Sequence, residues 1–248
     1  MTDNHRVFCA ERLVRLGDVT ASGRLRLDAV ARYLQDVATD DAADAGLADR
    51  WVLRRTALRI TTFPAFRDRV ELATWCSGVA TSAAERRTAI RIDGVPAVEA
   101  EALWVFVGPD GRPARLDKDQ FAIWGAGTQR RISTRLRHPD LLEGADLACR
   151  SWPLRVADVD VLAHVNNAVS LAAVEDLLVA AGVAETPVPW WVEVEYRRAI
   201  DPTKAPDLVW TRAGGGVLVG GLRCGTDLCT TFRLGVAGTL VPPVDSIF

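Results

Sequence analysis

The segment DVDVLAHVNN, residues 158–167, places two carboxylates, an imidazole and two carboxamides within ten positions. An apolar, alanine-rich run follows it at 168–181, and Gly182 comes next. Such a run predicts a helix, and glycine is typical of the position just past a helix end. Polar groups this dense at the start of a helix serve either as a helix cap or as an active site.

Segments with strand character lie on both sides of this helix. A short strand is expected at 152–156, ahead of the polar turn, and longer strands are expected at 190–199, 207–213, 217–224 and 228–234. The second half of the chain is therefore predicted to run strand, turn, helix and then several consecutive strands.

The first half of the chain predicts the same order of elements. Leu27, Val30 and Leu34 recur at spacings of three and four, so a helix is expected over 27–45, with Gly46 as its C-cap. Strands are expected at 7–16, 51–62, 69–79, 84–92 and 98–107.

The two halves also share residues at a fixed offset. RLGDV at 15–19 resembles RVADV at 155–159, which lies 140 positions later, and the same offset places Asp36 on Asp176. A repeated unit of about 110 residues is too long for a solenoid repeat. The pattern instead predicts an α+β fold of two similar domains in tandem, each with one long helix packed on an antiparallel sheet.

The domain boundaries follow from this repeat. The first domain is expected at 1–127 and the second at 149–248. An arginine-rich, proline-containing linker is expected between them, at 128–148.

Composition excludes several classes of protein. A formal net charge of −2 argues against general nucleic-acid binding, which needs a basic surface. No apolar run reaches the roughly 20 residues of a membrane-spanning helix. Residues 1–6 lack the apolar core of a signal peptide, so a cytoplasmic location is expected. The five cysteines are scattered without a CxxC pair, so we expect neither a disulfide framework nor a metal site, and no cofactor.

Five segments together carry a family resemblance. They read RYLQDVA at 32–38, WVLRR at 51–55 and FPAFRDRVELATW at 63–75 in the first half, then DVDVLAHVNN at 158–167 and EYRR at 195–198 in the second. In this order, they resemble the acyl-acyl-carrier-protein thioesterases, double hotdog proteins of plants and bacteria. The resemblance covers nearly the whole chain.

The sequence departs from the family pattern at two polar positions and one cysteine. The pattern D-x-N-x-H has Leu162 in place of its asparagine, between Asp160 and His164. The pattern E-Y-R-R-E-C has Ala199 and Ile200 in place of its last two residues. The resemblance therefore implies a reduced site of Asp160 and His164, or a lost activity.

Thioester hydrolysis needs an oxygen nucleophile and a stabiliser for the carbonyl oxyanion. Asp160 is expected to activate water or to attack directly, and His164 to hydrogen-bond the nucleophile or the carbonyl. Backbone N–H groups at 165–168 are expected to polarise the carbonyl, with Asn166 and Asn167 holding the loop. The alternative is structural: Asp160 or Asn166 merely caps the helix, and His164 is a loop histidine.

Other charged residues are assigned on weaker grounds. Arg24 stands where the second half has His164, so no second active site is expected. Glu195 is expected to pair with an arginine. An acidic helix face is expected to be solvated; it comprises Asp36, Asp40, Asp41 and Asp44.

The substrate's two ends need different surfaces. The resemblance implies that the N-terminal domain shapes the acyl pocket and the C-terminal domain does the chemistry. Bulky side chains that would form core or tunnel wall are Trp51, Phe63, Phe66, Trp75, Trp104 and Phe106. Acyl carrier protein is acidic, so a basic patch is expected to receive it. The candidate patch is in the linker, although a solvated linker explains it nearly as well; it comprises Arg130, Arg131, Arg135 and Arg137.

The predicted function is hydrolysis of fatty acyl-acyl-carrier-protein thioesters to free fatty acid and holo-carrier, at the end of fatty acid synthesis. Two alternatives stay open: an acyl-coenzyme A thioesterase of the same fold, and a non-catalytic protein that binds acyl chains or their carrier. A hydratase is disfavoured because its usual D-x-N-P-x-H pattern has one more residue and a proline. Two fused domains already mimic a hotdog dimer, so a monomer or a homodimer is expected.

Overall fold

The computed structural model describes residues 6–47, 50–124, 128, 130–138, 146–183 and 188–236. The first half forms β1 (Val7–Leu13), α1 (Leu27–Asp44), β2 (Trp51–Ile60), β3 (Arg69–Ala80), β4 (Ala83–Ile92), β5 (Val95–Phe106) and the short helix α2 (Lys118–Trp124). The second half forms β6 (Ala148–Ser151), α3 (Ala168–Ala180), β7 (Trp190–Tyr196), β8 (Asp207–Arg212), β9 (Leu218–Cys224) and β10 (Asp227–Gly235).

The ten strands within the described residues form one antiparallel sheet. Their order is β1-β3-β4-β5-β2-β7-β10-β9-β8-β6. The two halves meet where β2 pairs with β7, from Arg55 opposite Glu195 to Ile60 opposite Trp190. Backbone hydrogen bonds therefore join the halves into one continuous sheet.

The two long helices lie in contact and share one hydrophobic core with the sheet. Leu27, Val30 and Leu34 of α1 belong to this core, as do Leu171 and Val174 of α3. On the longer helix, apolar residues at spacings of three and four form one stripe, which explains the burial of these side chains.

Strand β7 is buried on both faces. Val192 and Val194 point into the helix-side core, and both are 1 % exposed or less. Side chains alternate along a strand, so Glu193 and Glu195 lie on the opposite face. They are buried as well, because residues 130–138 cover that face and contact both carboxylates.

The predicted α+β architecture with one long helix per half is confirmed, but one predicted strand was wrong. The expected strand at 152–156 is not formed; β6 precedes it, and residues 156–158 form a 3-10 turn. Pro153 has no N–H to donate to a strand partner, and the chain turns so that the Asp158 carboxylate accepts the N–H of Arg155 at 2.7 Å. The short helix α2 was not predicted.

Strand β7 is also shorter than the expected 190–199. It ends at Tyr196, where the N–H groups of Arg197 and Arg198 both donate to the carbonyl of Cys229. The proposed boundaries at 127/128 and 148/149 stay a prediction, since residues 127 and 139–145 lie outside the described part of the chain.

Candidate active site

The turn that leads into α3 is built on a buried aspartate. We call residues 155–167 the α3 turn. Asp158 is 5 % exposed, and its carboxylate accepts the Arg155 N–H and pairs with the Arg155 guanidinium at 2.8 Å. The Asn166 N–H donates to the Asp158 carbonyl at 2.8 Å, which closes the turn at its base.

The candidate catalytic pair lies at the tip of this turn. Oδ1 of Asp160 accepts the N–H groups of Leu162 and His164 at 3.0 and 3.4 Å. The Asp160 N–H donates to the His164 carbonyl at 2.9 Å. The Asp160 residue is half-buried and His164 is exposed. The backbone thus brings both candidate side chains to one tip, and the carboxylate also holds that tip together.

The two asparagines at the start of the helix differ in their contacts. Oδ1 of Asn166 accepts the Ala168 N–H at 2.8 Å, so this side chain caps the first turn of α3. Asn167 is the residue from which the helix starts, and its side chain makes no capping bond. Of the four N–H groups predicted as carbonyl donors, those of Asn166 and Ala168 are already used within the loop.

The first half contains a copy of this turn. We call residues 15–27 the α1 turn. The Thr20 N–H donates to the Arg24 carbonyl at 2.8 Å, as Asp160 does to His164, and the Arg26 N–H donates to the Asp18 carbonyl at 2.9 Å, as Asn166 does to Asp158. Each of these four residues of the α1 turn lies 140 positions before its counterpart in the α3 turn. Local sequence therefore builds the same backbone twice.

Side chains close the α1 turn. The Arg24 guanidinium forms two hydrogen bonds with the Glu175 carboxylate of α3 and lies over the rings of Phe63 and Trp190, at 4.6 and 5.1 Å from their centroids. Oε2 of Glu175 also accepts the Leu27 N–H at 3.1 Å. The first helix N-terminus is thus occupied by a protein carboxylate.

A small cavity lies on the helix side of the first-half sheet. It measures about 20 Å³, which holds about one water molecule. Its lining includes Gln35 on α1 and Tyr196 on β7, so it reaches the junction of the two halves. The other lining residues are Ala31, Leu34, Leu53, Thr56, Arg86, Thr88, Ala100, Ala102 and Trp104.

Of the bulky side chains suggested as core or tunnel wall, Trp104 lines this cavity. Trp51 and Phe106 instead pack on each other, with ring centroids 5.3 Å apart. Phe63 packs edge-on against Trp190 at 4.9 Å, and Phe66 is 40 % exposed. The contacts of these four residues are ordinary packing or surface contacts.

The linker arginines lie near the sheet face opposite the helices. Arg130 pairs with Glu85 at 2.6 Å and Arg137 lies 3.7 Å from Glu193. Arg131 and Arg135 are exposed. Two of the four arginines predicted to bind a carrier are therefore engaged with sheet glutamates.

One expectation about acidic residues is confirmed and one needs correction. Glu195 pairs with the Arg197 guanidinium at 3.9 Å, as expected, and its carboxylate also accepts the backbone N–H groups of Arg137 and His138. Asp41 is not solvated: it is 2 % exposed and pairs with Arg6 and Arg86.

A buried histidine escaped the sequence reasoning. The His138 ring is fully buried, with Nδ1 3.1 Å from the Thr231 hydroxyl and Nε2 3.2 Å from Glu193. Burial raises the pKa of Glu193, but the His138 hydrogen bond and the charges of Arg137 and Arg55 outweigh it and hold that pKa below its usual value. Two glutamates on one face of an otherwise apolar strand were the available signal, because buried carboxylates need partners.

Comparison with known proteins identifies the N-terminal half. Residues 5–123 match the acyl-ACP thioesterase N-terminal domain. An uncharacterized protein of Mycobacterium tuberculosis is 29% identical over 189 residues, covering 74% of each chain. In the described part of the chain, no helix has the length and apolar character to span a membrane, and no group of three or more potential ligand side chains is arranged to hold a metal ion.

Three solved structures share the fold along nearly their whole length. A putative oleoyl thioesterase from Lactobacillus plantarum has a TM-score of 0.84 at 19% identity, over 96% of this chain and 98% of that one. A 12:0-ACP thioesterase from Umbellularia californica has a TM-score of 0.74 at 22% identity, over 92% and 96%. An acyl-ACP thioesterase from Bacteroides thetaiotaomicron has a TM-score of 0.75 at 17% identity, over 94% and 99%.

The tandem double hotdog fold and the match of residues 5–123 are both shared with thioester hydrolases. This confirms the predicted fold class. Residues 5–123 of this chain match the N-terminal domain of the acyl-ACP thioesterase family.

Proposed function

We propose that this protein hydrolyses fatty acyl-acyl-carrier-protein thioesters, releasing free fatty acid and holo-carrier. The observation that carries the proposal is the contrast between the two helix N-termini. The α1 turn is filled by the Arg24–Glu175 pair, whereas the α3 turn presents Asp160 and His164 on the same backbone. The family match supports the reaction class, and the carrier is part of the proposal.

The substrate lies across the junction of the two halves. The acyl chain enters the first-half sheet face through the cavity beside Gln35 and Tyr196, and the thioester carbonyl lies at the start of α3. At about 20 Å³ the cavity is closed to a long chain. Binding therefore requires α1 to move away from the sheet.

Asp160 supplies the oxygen chemistry in this proposal. The N–H groups of Leu162 and His164 orient its carboxylate through Oδ1. The carboxylate then activates a water molecule to attack the carbonyl, or attacks the carbonyl itself to give a mixed anhydride that water hydrolyses to the free fatty acid and Asp160. His164 hydrogen-bonds the reacting oxygen, and the Asn167 N–H polarises the carbonyl. The thiolate leaves without a strong general acid.

Leu162 and Ala199 motivate the non-catalytic alternative, and the place of Leu162 in the structure argues against that alternative. The Leu162 side chain is 70 % exposed, while its backbone N–H makes the bond to Asp160. An apolar side chain at this position therefore does not disturb the carboxylate. An acyl-coenzyme A thioesterase remains the second candidate, since a thioester on either carrier presents the same carbonyl to this turn.

The experiment measures thiol release from acyl-acyl-carrier-protein and acyl-coenzyme A substrates of varied chain length. Asp160→Ala and His164→Ala are compared with wild type and with Thr20→Ala. Thr20 occupies the position of Asp160 in the closed α1 turn, so this control tests the effect of altering the turn itself. We expect turnover to fall at least about 100-fold in both α3-turn variants and to persist in the control.

Three outcomes decide between the readings. Turnover on coenzyme A substrates alone would assign the second candidate. Full turnover in Asp160→Ala would remove Asp160 from the chemistry. No turnover by folded wild-type protein on any substrate, with acyl chains still bound, would establish the non-catalytic protein.

A further inference from the structure

The repeat extends from the two turns into the helices that follow them. At the offset of 140 positions, Gln35 of α1 corresponds to Glu175 of α3, and Leu27 corresponds to Asn167. In the closed copy, Glu175 contacts the Leu27 N–H across the helix pair. If the same relation holds for the α3 turn, the Gln35 side chain is expected to reach toward the Asn167 N–H.

The cavity gives an independent observation on Gln35. Its side chain lines that space together with Ala31 and Leu34 on the same face of α1, and Tyr196 of the second half lines it as well. Gln35 is half-buried, as a residue at the mouth of a cavity would be. Gln35 therefore lies on the face of α1 that borders the proposed acyl site.

The residue type fits a donor role at this place. A glutamate such as Glu175 accepts hydrogen bonds and fills the N-terminus of the neighbouring helix with its own oxygen. A glutamine carries no charge, and its NH₂ group donates. A carbonyl oxygen that gains negative charge is stabilised by a donated hydrogen bond and repelled by a carboxylate.

We propose that the Gln35 carboxamide donates a hydrogen bond to the thioester carbonyl oxygen, alongside the Asn167 N–H, so that the N-terminal half completes the active site. This inference rests on the proposed hydrolase function. It assigns the two helices complementary roles: α3 supplies the backbone donor, and α1 supplies the side-chain donor.

Kinetics of Gln35→Leu and Gln35→Glu test this role. Loss of one oxyanion donor costs about 100-fold or more in kcat, and we expect that loss in Gln35→Leu with KM changed less than about threefold. Gln35→Glu should be equally slow at pH 8. Its activity relative to wild type should rise as pH falls toward 5, because a protonated carboxyl group donates a hydrogen bond and an ionised one does not.

The matched control is Glu175→Gln, the same chemical change at the repeat position. It weakens the Arg24 pair and should lower the thermal unfolding midpoint while kcat stays within about threefold of wild type. Wild-type kcat in Gln35→Leu, or a pH-independent ratio for Gln35→Glu, would overturn the donor role while leaving the hydrolase function intact. Absence of turnover in folded wild type would overturn both.

Discussion

The Arg24–Glu175 pair should make a large contribution to stability, because it joins the two halves across their helices. Glu175→Ala removes the carboxylate that serves the Arg24 guanidinium and the Leu27 N–H together. Arg24 would keep its charge over the rings of Phe63 and Trp190. An unpaired charge in such a place is costly, since water reaches it poorly.

The expected size follows from burial and from the number of bonds lost. The side chains of Arg24 and Glu175 are 17% and 12% exposed. Removing one partner of a fully buried pair costs about 3–5 kcal/mol, and the residual exposure lowers this toward about 2–4 kcal/mol of unfolding free energy. The double replacement Arg24→Leu with Glu175→Leu should cost much less, because an apolar pair of similar volume often substitutes for a buried ion pair.

Urea unfolding at 25 °C of wild type, Arg24→Leu, Glu175→Leu and the double variant forms a complete double-mutant cycle. We expect a coupling free energy of about 2 kcal/mol between the two residues. Turnover per folded molecule should persist in Glu175→Ala, because the α1 turn does no chemistry. The reasoning is wrong if the unfolding free energy of Glu175→Ala lies within about 0.5 kcal/mol of the wild-type value, which is the effect of an ordinary surface substitution.

Two further predictions concern the linker and the cavity. The pKa of Glu193 lies below its usual value of 4.5 in the folded protein, so its contribution to stability should be present above about pH 4.5 and lost as pH falls through the folded pKa. In urea unfolding between pH 3 and 7, the unfolding free energy of Glu193→Gln should therefore fall less steeply with acidification than that of wild type. An equal pH dependence in the two proteins would contradict this. Trp104→Ala should shift thioesterase preference toward longer acyl chains, because its indole lines the cavity. Trp124→Ala, in a separate buried cluster, should lower stability without that shift, and activity is measured against acyl chain length for both variants. An unchanged chain-length profile for Trp104→Ala would remove this cavity as the acyl site.

Local sequence was sufficient to predict those elements whose pattern is set within a few neighbouring residues. The helix at 27–45 and the strands of the first half were found at nearly their observed bounds, because periodicity is a local property. The strand expected at 152–156 failed because a proline and an aspartate-centred turn outweighed the apolar residues around them. The end of β7 was likewise set by the carbonyl of Cys229, which lies far away in sequence.

The candidate site was predictable in part for the same reason. Asp160 and His164 are four residues apart, so a local pattern and the family resemblance bring them to one turn. The linker arginines were assigned by charge alone. Their glutamate partners lie on distant strands, and Arg130 and Glu85 illustrate the problem: their pairing depends on how the linker crosses the sheet.

The sequence by itself determined that this protein has two copies of one turn, each leading into a long helix, because the bonds that form each turn lie within about a dozen residues. Only the tertiary structure decided which copy is open. Arg24 closes the first copy through Glu175, 151 residues away, and that contact exists because the paired halves bring α1 and α3 together. The place of Gln35 at the cavity, beside Tyr196 of the second half, depends on tertiary packing as well, and no local pattern contains it.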